Sequence, residues 1–362
     1  MMKRLSYLMS AAASLMLAAG AMTSCSSVDN PSGDTPTPQP EQQEAKLIIK
    51  EIAVSGGFKT TEGKSYNWCK AMMLYNNGGA EAKVKNLAIG TIPPGNAHAN
   101  NGNYTEDGKL NYEDADFIPM IYGIWYLPTE LTVAPYSDVV IAINGAIDHT
   151  ATAPDAYNLA DASFHAMYDP ESPYVNANAY PAPFEGIPAE HYWKAAVFGL
   201  GNAWAISVMC PNLVLFQFPE GVDPEAYCAD KANSWFDGGK ENDANYCVKI
   251  PKAWVIDGVE TYRLTMVDDS KKRVPASIDA GYALYNSNKM YSAYRNVDQA
   301  ATEAIAENSG KLVYGYDQAV EGTAEPSGID AAASIKNGAK IVYQDTNNST
   351  ADFHLRATWS LK

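Results

Sequence analysis

The chain has little positive charge, few cysteines and histidines, and almost no long apolar run. Against 42 acidic residues stand only 26 Lys and Arg, a net charge of −16 over 362 residues. That deficit argues against nucleic acid and against a polybasic membrane patch, because both require clustered cations. Beyond the N-terminal segment no stretch offers about 20 uninterrupted apolar residues, so no spanning helix is expected. The five cysteines contain no C-x-x-C, which disfavours zinc ribbons and thioredoxin-like redox sites. Neither H-E-x-x-H nor G-x-S-x-G occurs, so zinc-protease chemistry and a hydrolase nucleophile elbow are unsupported.

What is present begins with "MMKRLSYLMSAAASLMLAAGAMTSCSS". Lys3 and Arg4 precede an uncharged, mostly apolar run from Leu5 to Met22, and small residues lead to Cys25. This is the layout of a secretory signal. An ordinary signal needs no cysteine at its end, whereas a lipoprotein signal needs the thiol to carry the lipid. Residues 1–24 are therefore read as a lipoprotein signal peptide and Cys25 as the acylated first residue. Each buried acyl methylene contributes about 0.8 kcal/mol, so several chains hold a protein on a bilayer without a spanning helix. The expected location is the cell envelope, as an outer-membrane lipoprotein exposed at the surface. Removing residues 1–24 takes away two cations and no acid, leaving a net −18. Residues 25–45, rich in Pro, Ser, Asp and Gln, have too little apolar surface to fold and read as a tether.

From residue 46 the pattern is β. "KLIIKEIAV" is β-branched and stops at Gly56-Gly57. In "TELTVAPYSDVVIAIN", Leu131 and Val133 share parity with Val139, Ile141 and Ile143, which predicts two strands with one buried face each. "AGYALY" and "MYSAYR" predict a hairpin across 286–289. One helix is expected after an Asn296 cap, and a short second one over 329–336, stopped by Asn337-Gly338.

Chemistry-bearing residues are sparse. Asp148 and His149 lie together, but strand neighbours point to opposite faces. Glu113, Asp114 and Asp116 cluster in a chain already rich in acids. Asp345, Asn347, Ser349 and Asp352 have spacings that can offer oxygens to calcium, although the Gly and distant Glu of an EF-hand loop are missing. The same residue types also make turns without metal. Cys228 and Cys247 close the shortest of the cysteine loops and are read either as a disulfide or as two buried thiols. Aromatics crowd the middle third. Trp125, Tyr126, Tyr168, Tyr174, Tyr180 and Trp193 are the candidates for a ligand-binding surface, against the alternative that they pack the core.

"LIIKEIAVSGG", "AMMLYNNGGAEAKVKNLAIG", "LTVAPYSDVVIAING", "WVIDGVE", "SAYR" and "DTNNSTADF" resemble the lamin-tail pattern. More specifically, the chain resembles Bacteroidales-type surface lipoproteins of unknown function that carry a lamin-tail-like domain. The resemblance implies an immunoglobulin-like antiparallel β-sandwich. It would span 46–362 as a single elaborated domain, with insertions at 149–253 and 296–344 and one or two short helices. Read alone, the alternating strands imply only an antiparallel β fold. The functional expectation is a non-catalytic surface binding or accessory module, with an outer-membrane uptake receptor or a glycan as partner and no cofactor beyond the calcium weighed above. A hydrolase acting on surface polymers is the alternative.

Overall fold

The computed structural model describes residues 44–172, 176–200 and 206–361. The signal segment, Cys25, the tether up to residue 43, and Tyr174 lie outside the described residues. The remainder belongs to one compact unit, Gln42–Lys362.

The protein is mainly β, built on one large curled sheet of eleven strands. Their order is Val255–Val259, Leu213–Gln217, Leu87–Gly90, Ile124–Tyr126, Tyr192–Ala196, His165–Met167, Asp138–Ala142, Ala71–Asn76, Leu47–Ala53, Ser292–Arg295 and Phe353–Arg356. The sheet is mixed rather than wholly antiparallel, since His165–Met167 runs parallel to both its neighbours. Early and late segments share the sheet: Leu47–Ala53 pairs with Ser292–Arg295. Curling also brings the edge strand back, so that the Ile49 N–H donates to Asp257 at 2.7 Å. Residues 149–253 are part of this framework, contributing the strands at 165–167, 192–196 and 213–217.

The period of two explains how one sheet serves several cores. Met72, Leu74, Ile141, Ile143, Trp125, Trp193, Leu213 and Leu215 point to the inside of the curl. The alternate positions Met73, Val140 and Ala142 face a second layer with Phe58 and Trp359. Val214, Phe216, Ile124 and Tyr126 face a third, with Ile118, Met120 and Val248. Residues from the 296–344 segment cover Ile48, Tyr75 and Tyr294 with Val297, Ile329, Ile341 and Tyr343. Leu47–Ala53 is buried along its whole length for this reason; both of its faces are covered.

Both expected helices form, with shifted ends. The helix after residue 296 is Gln299–Ala304, and its cap is Asp298, which accepts the Ala301 N–H, rather than Asn296. Asn296 is instead buried, its Oδ1 accepting from His354 Nδ1 and its Nδ2 donating to the Ala351 carbonyl. The second helix is Ala331–Lys336, ended at Asn337 with Gly338 at φ +77°. The 283–295 hairpin does not form: Ala283–Tyr285 pairs in parallel with Thr261–Arg263, and Ser292–Arg295 enters the large sheet. Long-range pairing outcompetes the local turn because both strands complete buried layers.

Candidate functional site

Most of the sequence candidates lie in the core. Trp125 and Trp193 are fully buried inside the curl, and Trp125 packs on Tyr180 with ring centroids 4.8 Å apart. Tyr126 is buried on the opposite face, and its hydroxyl donates to Glu225 at 2.7 Å. Tyr168 is half-buried against Tyr192. The expected aromatic contact surface is thus corrected: strand alternation turns Trp125, Tyr126 and Trp193 toward the covered faces of the sheet, and Tyr180 and Tyr168 pack on it from the adjoining loops.

The calcium reading is corrected as well. Asp345 is occupied by Arg295 at 3.0 Å and Lys46 at 2.7 Å. Asp352 accepts from the Thr346 N–H and hydroxyl and lies 3.6 Å from Arg295. Ser349 turns away and donates twice to Asp279. Asn347 sits at φ +54° and offers its carbonyl to Ala280. The four do not converge, and among the described residues no group of three or more His, Cys, Asp or Glu side chains could hold a metal. The cation that neutralises this segment is the Arg295 guanidinium, which also pairs with Asp257 at 2.7 Å.

Cys228 and Cys247 are both free and buried, so the bridge is not formed. Cys228 sits on the helix Pro224–Ala229 among the apolar side chains of the third layer. Burial pushes its thiol up to about 12. Cys247 lies on Tyr246–Pro251, and its thiol donates to Asn245.

Most of the histidine nitrogens are likewise bonded within the fold, His165 Nδ1 being buried without a partner. His149 bonds Tyr66 and the Gly145 carbonyl. His354 bonds Asn296 and Tyr316. His98 meets Cys210 at 3.3 Å, and His191 bonds the Phe164 carbonyl while stacking on His165 at 4.2 Å. Burial, joined by the neighbouring imidazole for His165 and by Arg356 for His354, pushes both down to about 3. They stay neutral at physiological pH, as buried imidazoles without a carboxylate partner should.

One groove keeps unspent polar groups. It has a volume of about 330 Å³ and is lined by Gly57, Lys59, Ser65, Asn67, Val208, Met209, Ser287 and Asn288. One wall is the short hairpin in which Phe58–Lys59 pairs with Ser65–Tyr66. The other is the 286–289 loop, folded by Asn286 accepting the Asn288 N–H. Glycine permits the two walls to meet: a Cβ on Gly56 would lie 2.7 Å from Asn67 Oδ1 and 2.8 Å from the Ser287 carbonyl, and Gly57 has φ +105°. Lys59 donates to Ser65. Asn67 and Asn288 are exposed, and the Asn288 carbonyl oxygen accepts from the Ser287 hydroxyl. The next residue after Asn67 is Trp68, 42% exposed and the one strongly exposed tryptophan among the described residues.

Other cavities differ in kind. The 430 Å³ cavity by Asp169 carries three carboxylates and Lys194, already paired with Glu171, Tyr126 and the Ala195 N–H. The 580 Å³ cavity by Lys46 includes Glu44, Asp298 and Asp345. In the 400 Å³ cavity by Tyr282, Asn296, Thr323 and Thr350 are all bonded within the fold. The groove beside Trp68 is free of carboxylates in a chain with 42 of them. Its sequence signal was available: Trp68 ends the polar run "TTEGKSYN", outside any apolar alternation.

These features define a β protein built around a curled sheet, with a carboxylate-free polar groove, lined in part by Lys59, on its surface. The model of the family described as "Protein of unknown function (DUF4876)" matches residues 134–315, and the chain belongs to that family. The fold is similar to the crystal structure, at 2.50 Å resolution, of a DUF4876 family protein from Bacteroides thetaiotaomicron VPI-5482. The TM-score is 0.58 at 21% identity, covering 85% of this chain and 70% of that one. No curated protein matches.

Proposed function

We propose that this protein is a cell-envelope lipoprotein, acylated at Cys25 and held at the outer-membrane surface by its tether, that works as a non-catalytic binding or accessory module. The framework is read as an elaborated lamin-tail-like sandwich. This is supported by the adjacency of the segments that carry the resemblance (71–76, 47–53 and 292–295) and by the return of Asp257 to Ile49. The observation that carries the functional reading is a division of labour. Most imidazoles, the thiols and most buried carboxylates are engaged within the fold, while one surface groove is lined by Lys59, Asn67 and Asn288 without any carboxylate. Groups with perturbed proton affinity concentrate at catalytic sites when they face a cleft; here the perturbed histidines face packed side chains. A rigid β scaffold presenting loops is a common way to carry a binding site.

The test is in cells. Cys25→Ser should abolish labelling by a fatty-acid probe and release the protein from the membrane fraction; retention of both would refute the anchor. External protease should remove the wild-type protein from intact cells. A surface pulldown should capture a partner that Trp68→Ala loses. Turnover of any glycan or peptide by the purified protein would instead establish the hydrolase.

A further inference from the structure

We infer that the groove walled by Lys59, Asn67 and Asn288 binds a compact organic oxyanion, a carboxylate, sulfate or phosphate ester group on a small body; this rests on the reading of that groove as the site of a non-catalytic binding module. The first observation is charge. The lining holds Lys59 and no carboxylate. Lys59 donates to the Ser65 hydroxyl at 2.9 Å, a neutral group that leaves the ammonium charge uncompensated. Glu62, the acid of the same hairpin, is engaged by the hydroxyls of Thr60 and Thr61. Lys289 adds an exposed cation beside the groove: it follows Asn288, and a Cβ on Gly57 would lie 3.0 Å from its Cα. The second observation is a bias toward donors. An ammonium donates and cannot accept. The pairing of Lys59 with Ser65 across the hairpin sets both on one face, and Ser65, accepting from Lys59, keeps its own proton to donate. The carboxamides are biased in the same sense. Asn288 Oδ1 accepts from the Ser287 hydroxyl, and Asn67 Oδ1 is turned onto Gly56, 2.7 Å from where a Cβ there would lie. With both oxygens facing protein, the NH₂ groups are the outward ends of two exposed side chains. Donors gathered around a cation suit an oxyanion, because charge-assisted hydrogen bonds are stronger than neutral ones. The third observation is size. The groove holds about 330 Å³ and includes Val208 and Met209 in its wall, which leaves room for the charged group and a small apolar body. Acids outnumber cations 42 to 26 over the chain, but surface charges are screened beyond about 8 Å at physiological salt. A compact anion in the groove therefore feels mainly Lys59, whereas a long polyanion also lies along the acidic surface and is repelled.

The experiment uses the full-length protein in detergent and titration calorimetry with probes that share one body. Benzoate, phenyl sulfate and phenyl phosphate are the anions; benzyl alcohol is the neutral control and benzylamine the cationic one. At least one anion should bind, and the tightest of the three identifies the head group. Neither control should bind, and anion affinity should fall as sodium chloride is raised, because salt screens an exposed charge pair. Lys59→Gln should weaken anion binding about tenfold with an unchanged melting temperature, the loss expected for one charge-assisted hydrogen bond. Lys59→Arg should retain most of the affinity, and Lys85→Gln, at an exposed lysine on the strand Ala82–Lys85, should change nothing. The pair Asn67→Ala with Asn288→Ala should weaken binding independently, which keeps the test valid should a Lys59 variant lose its fold. Failure of all three anions overturns the inference, as do benzyl alcohol binding as tightly as the anions and binding indifferent to both groove variants. Tighter binding of heparin than of any compact anion would overturn the size class. If no anion binds yet Trp68→Ala still loses a partner in the surface pulldown, the oxyanion site falls and the binding module stands. Anion binding that depends on Lys59 while the pulldown captures nothing supports the site and removes the partner. Release of phenol from either ester would overturn the non-catalytic reading.

Discussion

Arg295→Met should be among the most damaging single changes in this protein. The guanidinium is almost fully buried, pairs with Asp257 and Asp345, lies 3.6 Å from Asp352, and donates to the carbonyls of Ile49 and Gln344. Methionine fills much of the volume and removes every donor. Breaking a buried ion pair by deleting one partner costs about 3–5 kcal/mol, because the remaining charge is left unneutralised. Here Lys46 still compensates part of Asp345, and Asp257 keeps the N–H groups of Ile49 and Gly258. The lower half of that range, about 3–4 kcal/mol, is therefore expected. For a domain of this size each kcal/mol moves the melting temperature by about 2 °C, so a fall of roughly 6–8 °C follows. Thermal melts by circular dichroism measure it directly. The variant should also recover part of its loss as pH falls, since carboxylates without their cation become easier to protonate. An unchanged melting temperature, or a loss that deepens on acidification, would refute the reasoning. Calcium supplies a control: with its oxygens engaged by Arg295 and backbone N–H groups, the 345–352 segment of the wild type should show no melting shift between EDTA and millimolar calcium.

Other outcomes can be checked alongside. His165 and His354 are held near 3 in the fold against an unfolded value near 6.5, so the unfolded state binds more protons below pH 6.5. Their stabilisation is complete above that pH and declines as pH falls toward 3, by about 1.4 kcal/mol per pH unit for each group; His354→Gln should flatten the denaturant-midpoint profile between pH 6.5 and 4. Denatured under non-reducing conditions, a Cys25→Ser protein should titrate four thiols with Ellman's reagent, and dithiothreitol should leave its melting temperature alone; two missing thiols would restore the Cys228–Cys247 bridge. Trp193→Ala should cost about 3–5 kcal/mol in urea unfolding as a core truncation, with groove binding per folded molecule unchanged. A selective loss of ligand at full stability would return Trp193 to the surface.

Elements with a local cause are legible in the residues alone. A β-branched run marked the strand at 47–53, alternation marked the one at 138–142, and Asn337-Gly338 stopped the helix Ala331–Lys336, because such patterns and a positive φ are properties of a few consecutive residues. The residues also identified the envelope-directed N-terminus as an expectation and excluded the common catalytic motifs. What each face touches is settled by the assembled sheet and the layers packed on it. Trp125 and Trp193 lie on strands where alternation gives a face but not its cover, and the curl of the sheet covers both faces. Arg295 and the Asp345–Asp352 segment were each legible as pieces of one resemblance. Their ion pair was not, because it joins residues about fifty positions apart and preempts a calcium pattern that spacing alone permits. The groove depends on the same kind of distance. Asn67 and Asn288 lie more than 200 residues apart, and the contact between Gly56 and the 287–289 backbone that brings them together is written in neither segment alone.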